Sequence, residues 1–270
     1  VTAEGAPERT AASIAAAFAA RPEVQAVALG GSQATGAADA GSDIDLYVYA
    51  EGEVDLAFRA GLAEARAARR EIDNRFWETG DEWDEAASGI HVDVMYRSPA
   101  FAEDELARVL DRHEARIGYS TCLWHNILTS RGLFDRDGWF ARLQASARRP
   151  YPQALAQAIV AKNHPLLREA FGAFGGQIRR AAERGDAVSV NHRTAAFLAS
   201  YFDILFALNR TPHPGEKRLL AQALRLPRTP RGMAADVDRL LGSGTMDAAA
   251  LVLAVEALSD GLDALVRSDA

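Results

Sequence analysis

Three short segments in the first hundred residues hold side chains whose types and spacing could do chemistry. In Asp43-Ile44-Asp45 two acids stand two residues apart. On a strand such residues share a face, so both carboxylates project together while Ile44 points the other way. Adjacent carboxylates repel unless something positive lies between them, and a hard divalent cation such as Mg2+ takes carboxylate oxygens together with substrate phosphates. A solvated strand start is the other reading of an isolated pair. In Val92-Asp93-Val94 one acid is enclosed by β-branched residues. A carboxylate in a buried strand needs a cation or a hydrogen-bond donor, and Arg97 is the local candidate. Leu29-Gly30-Gly31-Ser32 ends an apolar run. Its glycines would let backbone N–H groups approach an anion closely, and Ser32 could donate to a phosphate. An ordinary turn reads the same way. Two better-defined phosphate loops are excluded: there is no G-x-G-x-x-G, and Ala37 and Ala38 stand where a Walker A loop from Gly31 needs Lys and Ser/Thr.

Positioning these groups requires strands, and the first half of the chain supplies them. The periodicity predicts a helix over Pro7–Ala20, strands at Val24–Leu29 and Asp43–Tyr49, and a helix over Leu56–Arg69. Further strands are expected at Asn74–Trp77 and Ile90–Tyr96, separated by an acidic, Gly-containing loop. After Pro99 the strand signal nearly vanishes. Helices are expected at Phe101–His113 and Gly118–Thr129, then near 139–147, 152–183, 188–208, 215–224, 231–241 and 246–267, with a short apolar Gly132-Leu133-Phe134 between. Phe197, Tyr201, Leu205 and Leu208 recur at three and four, as on a core-facing helix. The expectation is an α+β chain, with a mixed-sheet domain over 1–112 and an all-helical bundle over 113–270.

The chain has 270 residues, 49% of them hydrophobic and 25% charged, which excludes wholesale disorder. Its 37 acidic and 30 basic side chains give a net charge of −7, no footprint for a nucleic-acid track. Cys122 is alone, so neither an internal disulfide nor a thiolate metal cage is available, and no His/Cys cluster suggests zinc. No apolar run reaches membrane-span length, and Val1–Arg9 has neither a basic nor an apolar signal region. A cytoplasmic protein without a membrane partner is expected; the sequence leaves the oligomeric state open.

Taken together, the Gly-Ser turn after a strand, the Asp-x-Asp strand ten residues on and the single Asp on a later strand resemble the polymerase-beta-type nucleotidyltransferase superfamily. The resemblance covers about residues 24–96. Leu46-Tyr47-Val48-Tyr49 after the acids and the helical second half are similar to its small-molecule branch, the aminoglycoside and lincosamide nucleotidyltransferases. The resemblance implies that Asp43, Asp45 and Asp93 are catalytic and hold two Mg2+ ions, with Gly30, Gly31 and Ser32 binding an NTP, ATP in the first instance. It implies transfer of a nucleoside monophosphate to a hydroxyl of a small molecule, with Asp93 also taking the hydroxyl proton. A protein nucleotidyltransferase of the antitoxin type, which AMPylates a partner, and a catalytically degenerate nucleotide-binding module are the alternatives.

Secondary candidates lie further along. Among the 30 basic residues only Lys162 and Lys217 are lysines. Lys217 closes the turn Pro214-Gly215-Glu216-Lys217 before a helix, a reasonable anion site, and similar turns occur in the helical domain of the resembled family. It is taken as a fourth nucleotide-binding residue. Lys162 with Asn163 and His164, and Asn191-His192-Arg193 at an expected helix start, are weaker candidates beside solvated helix faces. The acidic run Glu78, Asp81, Glu82, Asp84, Glu85 would suit a polycationic acceptor, or is a solvated loop. Arg108 and His113 have a ribonuclease-like spacing that coincidence also supplies.

Overall fold

The computed structural model describes residues 5–35, 42–76, 78–242 and 248–269. The chain divides into two compact units, Val1–Leu106 with Asn126–Arg149 and Ala107–His125 with Pro150–Ala270. It passes between them three times, where the sequence suggested one boundary between 112 and 113.

The first unit is built on a six-stranded sheet. Its strands are β1 (Val24–Leu29), β2 (Ile44–Ala50), β3 (Ala67–Asn74), β4 (Gly80–Glu85), β5 (His91–Arg97) and β6 (Arg131–Asp135), in the order β3-β4-β5-β2-β1-β6. β2 and β5 are parallel and every other neighbouring pair is antiparallel, a mixed sheet. The helices of the chain are α1 (Ala6–Ala19), α2 (Gly31–Thr35), α3 (Leu56–Glu64), α4 (Pro99–Leu110), α5 (Cys122–Thr129) and α6 (Trp139–Ala147), followed by the six described below.

One face of the sheet is the core. Val27, Leu29, Ile44, Leu46, Val48, Val92 and Val94 all point to it and are buried against Ile14 and Phe18 of α1. α1 earns this contact from Ala11, Ile14, Ala15 and Phe18, spaced so that they share one helical stripe. The opposite face receives the alternate residues. There Tyr49 packs on the rings of Trp139 and Phe140 at 5.2 and 5.6 Å, and Tyr47 is bonded by Asn126.

Four expectations are corrected. The helix expected to Arg69 stops at Glu64, and β3 begins at Ala67. The acidic segment read as a loop is strand β4, although it contains no β-branched residue. Strand propensity is overridden here by tertiary partners: Asp81 is held by Arg59 of α3 at 2.9 and 2.6 Å, and Glu85 accepts the Trp83 indole N–H at 3.0 Å. Residues 131–135, noted only as a short apolar stretch, form the edge strand beside β1. The strand expected at Asn74–Trp77 ends at Asn74, and Trp77 itself lies outside the described residues.

The second unit is helical: α7 (Gln153–Arg168), α8 (Phe174–Glu183), α9 (Ala187–Leu208), α10 (Leu219–Ala223), α11 (Met233–Gly242) and α12 (Ala248–Asp269). The single helix expected over 152–183 is two helices with a turn at 169–173. Phe197, Tyr201, Leu205 and Leu208 all lie in the core of this unit, with Val237, Leu258 and Leu262. Within it, Asp203 accepts the Ser120 backbone N–H at 3.0 Å and the Ser120 hydroxyl at 2.6 Å, and Asn163 accepts the Gly118 N–H at 3.0 Å. Among the described residues no helix is long and apolar enough to cross a membrane.

Candidate active site

The Asp-x-Asp segment folds as a strand because Ile44, Leu46 and Val48 all find the core while Asp45 does not need to. Asp45 is half-buried on the opposite face, and Asp43 stands two residues earlier, one position before β2 begins. β5 repeats the device, with Val92 and Val94 fully buried and Asp93 half-buried on the other side. The expectation of a buried Asp93 is therefore corrected: its flanking valines face the core, and alternation turns the carboxylate away from it. Arg97 is engaged elsewhere, donating to Glu78 at 2.7 and 2.8 Å.

The register of β2 against β5 places Asp45 directly opposite Asp93. Neighbouring strands lie about 4.8 Å apart, so two carboxylates at one register on one face are side by side. Asp43, two residues from Asp45, adjoins the pair. The register thus sets Asp93 beside Asp45, from which it is 48 residues distant in the chain.

The glycine turn closes over them. β1 ends at Leu29; the Gly30 N–H then donates to the Asp45 carbonyl at 2.8 Å, tying the turn to β2. Gly31 has φ +59°, in the left-handed region that favours glycine. A Cβ on Gly31 would lie 1.8 Å from Oδ2 of Asp45, so the bare backbone fits against that carboxylate and a side chain would not. Ser32, half-buried, follows in α2.

Glu82, which the sequence placed in a loop, and His91, which it did not single out, join the acids on this face. Glu82 of β4 is paired with Asp93, extending the row of carboxylates to a third strand. His91, two residues before Asp93, bonds Asp84 at 2.9 Å and lies 3.9 Å from Glu82. Burial works against its protonation, but the bond to Asp84 and the charges of Asp43, Asp84 and Glu82 prevail and raise its pKa. Alternation within Gly80–Glu85 was the available signal for Glu82, hidden because the segment reads as a loop. The remaining acids of that run serve other ends: Asp81 and Glu85 are buried in the bonds described above, and Glu78 holds Arg97.

Whether this donor set fits a metal can be judged from its chemistry. Among the described residues no group of three or more His, Cys, Asp or Glu side chains converges on one point where an ion would be held. The set still suits a hard cation: carboxylates of neighbouring strands at one register, with the bare Gly31 backbone against Asp45.

The secondary candidates separate cleanly. Lys217 belongs to the second unit and is exposed, in the turn that precedes α10. Asn163 is buried and spent on Gly118, while His164 bonds Asp263 at 2.6 Å. Lys162 is exposed, as are Asn191, His192 and Arg193, which lie inside α9 rather than at its start. Arg108 donates to the carbonyls of Glu114 and Ser120 at 2.6 and 2.8 Å, a tie for the segment 114–120.

Comparison with known proteins addresses the same residues. Residues 12–114 match the model of the family described as nucleotidyltransferase domain, and residues 122–219 match a domain family of unknown function, DUF4037. No curated protein matches the sequence. Among solved structures, a nucleotidyltransferase-like protein from Exiguobacterium sibiricum 255-15 is similar at 14% identity and a TM-score of 0.44, over 97% of this chain and 74% of that one. The CCA-adding enzyme of Thermotoga maritima is similar at 10% identity and a TM-score of 0.35, over 100% of this chain and 82% of that one. At such identities neither likeness bears on substrate. The match over residues 12–114 supports a nucleotidyltransferase, and it covers the stretch on which all three aspartates and the glycine turn lie.

Proposed function

We propose that the protein moves a nucleoside monophosphate from ATP to a hydroxyl of a small molecule and releases pyrophosphate. The observation that carries this reading is Asp45 in register with Asp93 beneath the Gly30-Gly31 turn. Asp43, Asp45 and Asp93 would hold Mg2+, two ions in the full site, whose chemistry is to neutralise the triphosphate and the charge that builds on it. The Gly30 N–H ties the turn to β2, and the backbone N–H groups of Gly31 and Ser32 with the Ser32 hydroxyl meet the β- and γ-phosphates. The acceptor oxygen bonds to the α-phosphorus as the bond to the bridging oxygen breaks; its proton goes to the Asp93 carboxylate, and pyrophosphate leaves. Lys217 supplies a compact ammonium for the triphosphate; a Lys217→Ala variant is expected to raise KM for ATP without lowering Tm.

The acceptor is a small hydroxylated molecule bearing amines, with an aminoglycoside or lincosamide antibiotic as the leading candidate. Glu82 and Asp84, on the face that presents Asp93, supply carboxylates for such cationic groups. The same reading places the enzyme in the cytoplasm, where ATP and Mg2+ are abundant.

The test is a panel of antibiotics incubated with Mg2+ and ATP, GTP, CTP or UTP, read by mass spectrometry. A nucleotide adduct on a small molecule is expected. An adduct found only on polypeptide would replace this reading with protein modification. Absence of any adduct and of pyrophosphate release across the panel would leave a nucleotide-binding module.

A further inference from the structure

Tyr47 has no part in the chemistry above, yet it is the side chain on which the glycine turn rests. It lies two residues beyond Asp45 on β2 and shares its face. A Cβ on Gly30 would come within 2.4 Å of Cε2 and 3.1 Å of Cζ of Tyr47, so the edge of the ring lies directly against the Gly30 backbone. The next residue, Gly31, rests in the same manner on the Asp45 carboxylate. The turn is thus seated on two consecutive side chains of one strand face, one aromatic and one acidic.

The ring is held from several sides. Asn126 donates to its hydroxyl at 2.9 Å, and the Arg97 guanidinium lies 4.3 Å from the ring centroid, pinned by its two bonds to Glu78. Ala28 of β1, opposite Tyr47 in the ladder, is small enough to leave the ring its room. Tyr47 is 6% exposed. A rigid, buried, multiply braced ring is suited to setting a distance.

Building on the function proposed above, we propose that Tyr47 is a positioning residue that sets the height of the Gly30-Gly31 turn over Asp45. That height fixes the gap between the backbone N–H groups, which meet the phosphates, and the carboxylates, which meet the metal. An error of about 1 Å there costs on the order of a hundredfold in rate.

The experiment compares Tyr47→Leu, Tyr47→Phe and wild type. Binding of a non-hydrolysable ATP analogue with Mg2+ is measured by calorimetry, and the Gly30, Gly31 and Ser32 amide resonances by NMR. Tyr47→Leu is expected to weaken binding about tenfold or more and to move those amides, while Tyr47→Phe, which keeps the ring, restores both to near wild type. If Tyr47→Leu fails to fold, Gly30→Ala presses on the same contact from the other side and should produce the same two changes. Equal damage from Phe and Leu would assign the effect to the hydroxyl and overturn the proposal, as would unmoved amides in Tyr47→Leu. If the wild type binds no nucleotide, the functional reading falls, and the amides still decide whether Tyr47 sets the turn.

Discussion

Gly31→Ala puts one methyl group where the structure leaves no room. At φ +59° a side chain costs about 1–2 kcal/mol in backbone strain alone. The new Cβ would start 1.8 Å from Oδ2 and 2.8 Å from Cγ of Asp45, where real Cβ contacts stay beyond 3.0 Å. Either the turn lifts or the carboxylate swings, and the shorter contact is more than 1 Å from acceptable. The strain should appear as a modest loss of Tm, roughly 2–8 °C for a protein of this size. The displacement should cost much more in function, about a hundredfold in turnover, or nearly 3 kcal/mol of barrier. The assay pairs a thermal melt with pyrophosphate release from ATP and Mg2+ in the presence of whichever acceptor the antibiotic panel yields. A folded variant that retains wild-type turnover would refute the argument that this backbone and Asp45 form one site.

Asp45→Asn should leave the Tm of the metal-free protein unchanged or slightly higher, since it neutralises one of two facing carboxylates. Added Mg2+ should raise the Tm of wild type but not of the variant, and equal responses would remove Asp45 from the metal site. Arg59→Met strands the buried carboxylate of Asp81 and should cost about 3–5 kcal/mol in a urea titration, with Arg59→Met/Asp81→Leu recovering much of it. In the second unit two buried groups oppose each other as pH falls. His213, lowered to about 4 by burial and by the charge of His125, refuses a proton that the unfolded chain accepts, so its contribution to stability is lost from about pH 6.5 downward. Asp203, raised to about 6 by burial despite its Ser120 bonds and the charge of Arg108, takes up a proton before the unfolded chain does, and stability rises. Each amounts to about 3 kcal/mol, so wild type should change little between pH 6.5 and 4.5 while His213→Gln gains stability on acidification. Parallel pH profiles for the two proteins would show that His213 does not titrate with this sign.

Much of the site was legible because its signals are local. Asp43 and Asp45 declare a shared face by their spacing, and Gly30-Gly31-Ser32 declares a turn whatever lies around it. The helix of α9 was legible for the same reason, since Phe197, Tyr201, Leu205 and Leu208 carry their period in the chain. β4 was not legible. Gly80–Glu85 has the composition of a loop and becomes a strand only because Arg59, 22 residues away, neutralises Asp81. β6 was hidden similarly, since five residues at a sheet edge have too little pattern to stand out before β1 is there to receive them.

The sequence alone therefore determined which groups could do the chemistry: three aspartates, a pair of glycines and a serine, at spacings that suit phosphate and metal. Only the tertiary structure decided how they meet. The parallel pairing of β2 with β5 chose the register that sets Asp45 beside Asp93, and a slip of one residue would have turned Asp93 into the core. It also brought Glu82 into the row and seated Gly30 on Tyr47. Register and close approach depend on contacts between segments distant in the chain, and no local pattern of residue types encodes them.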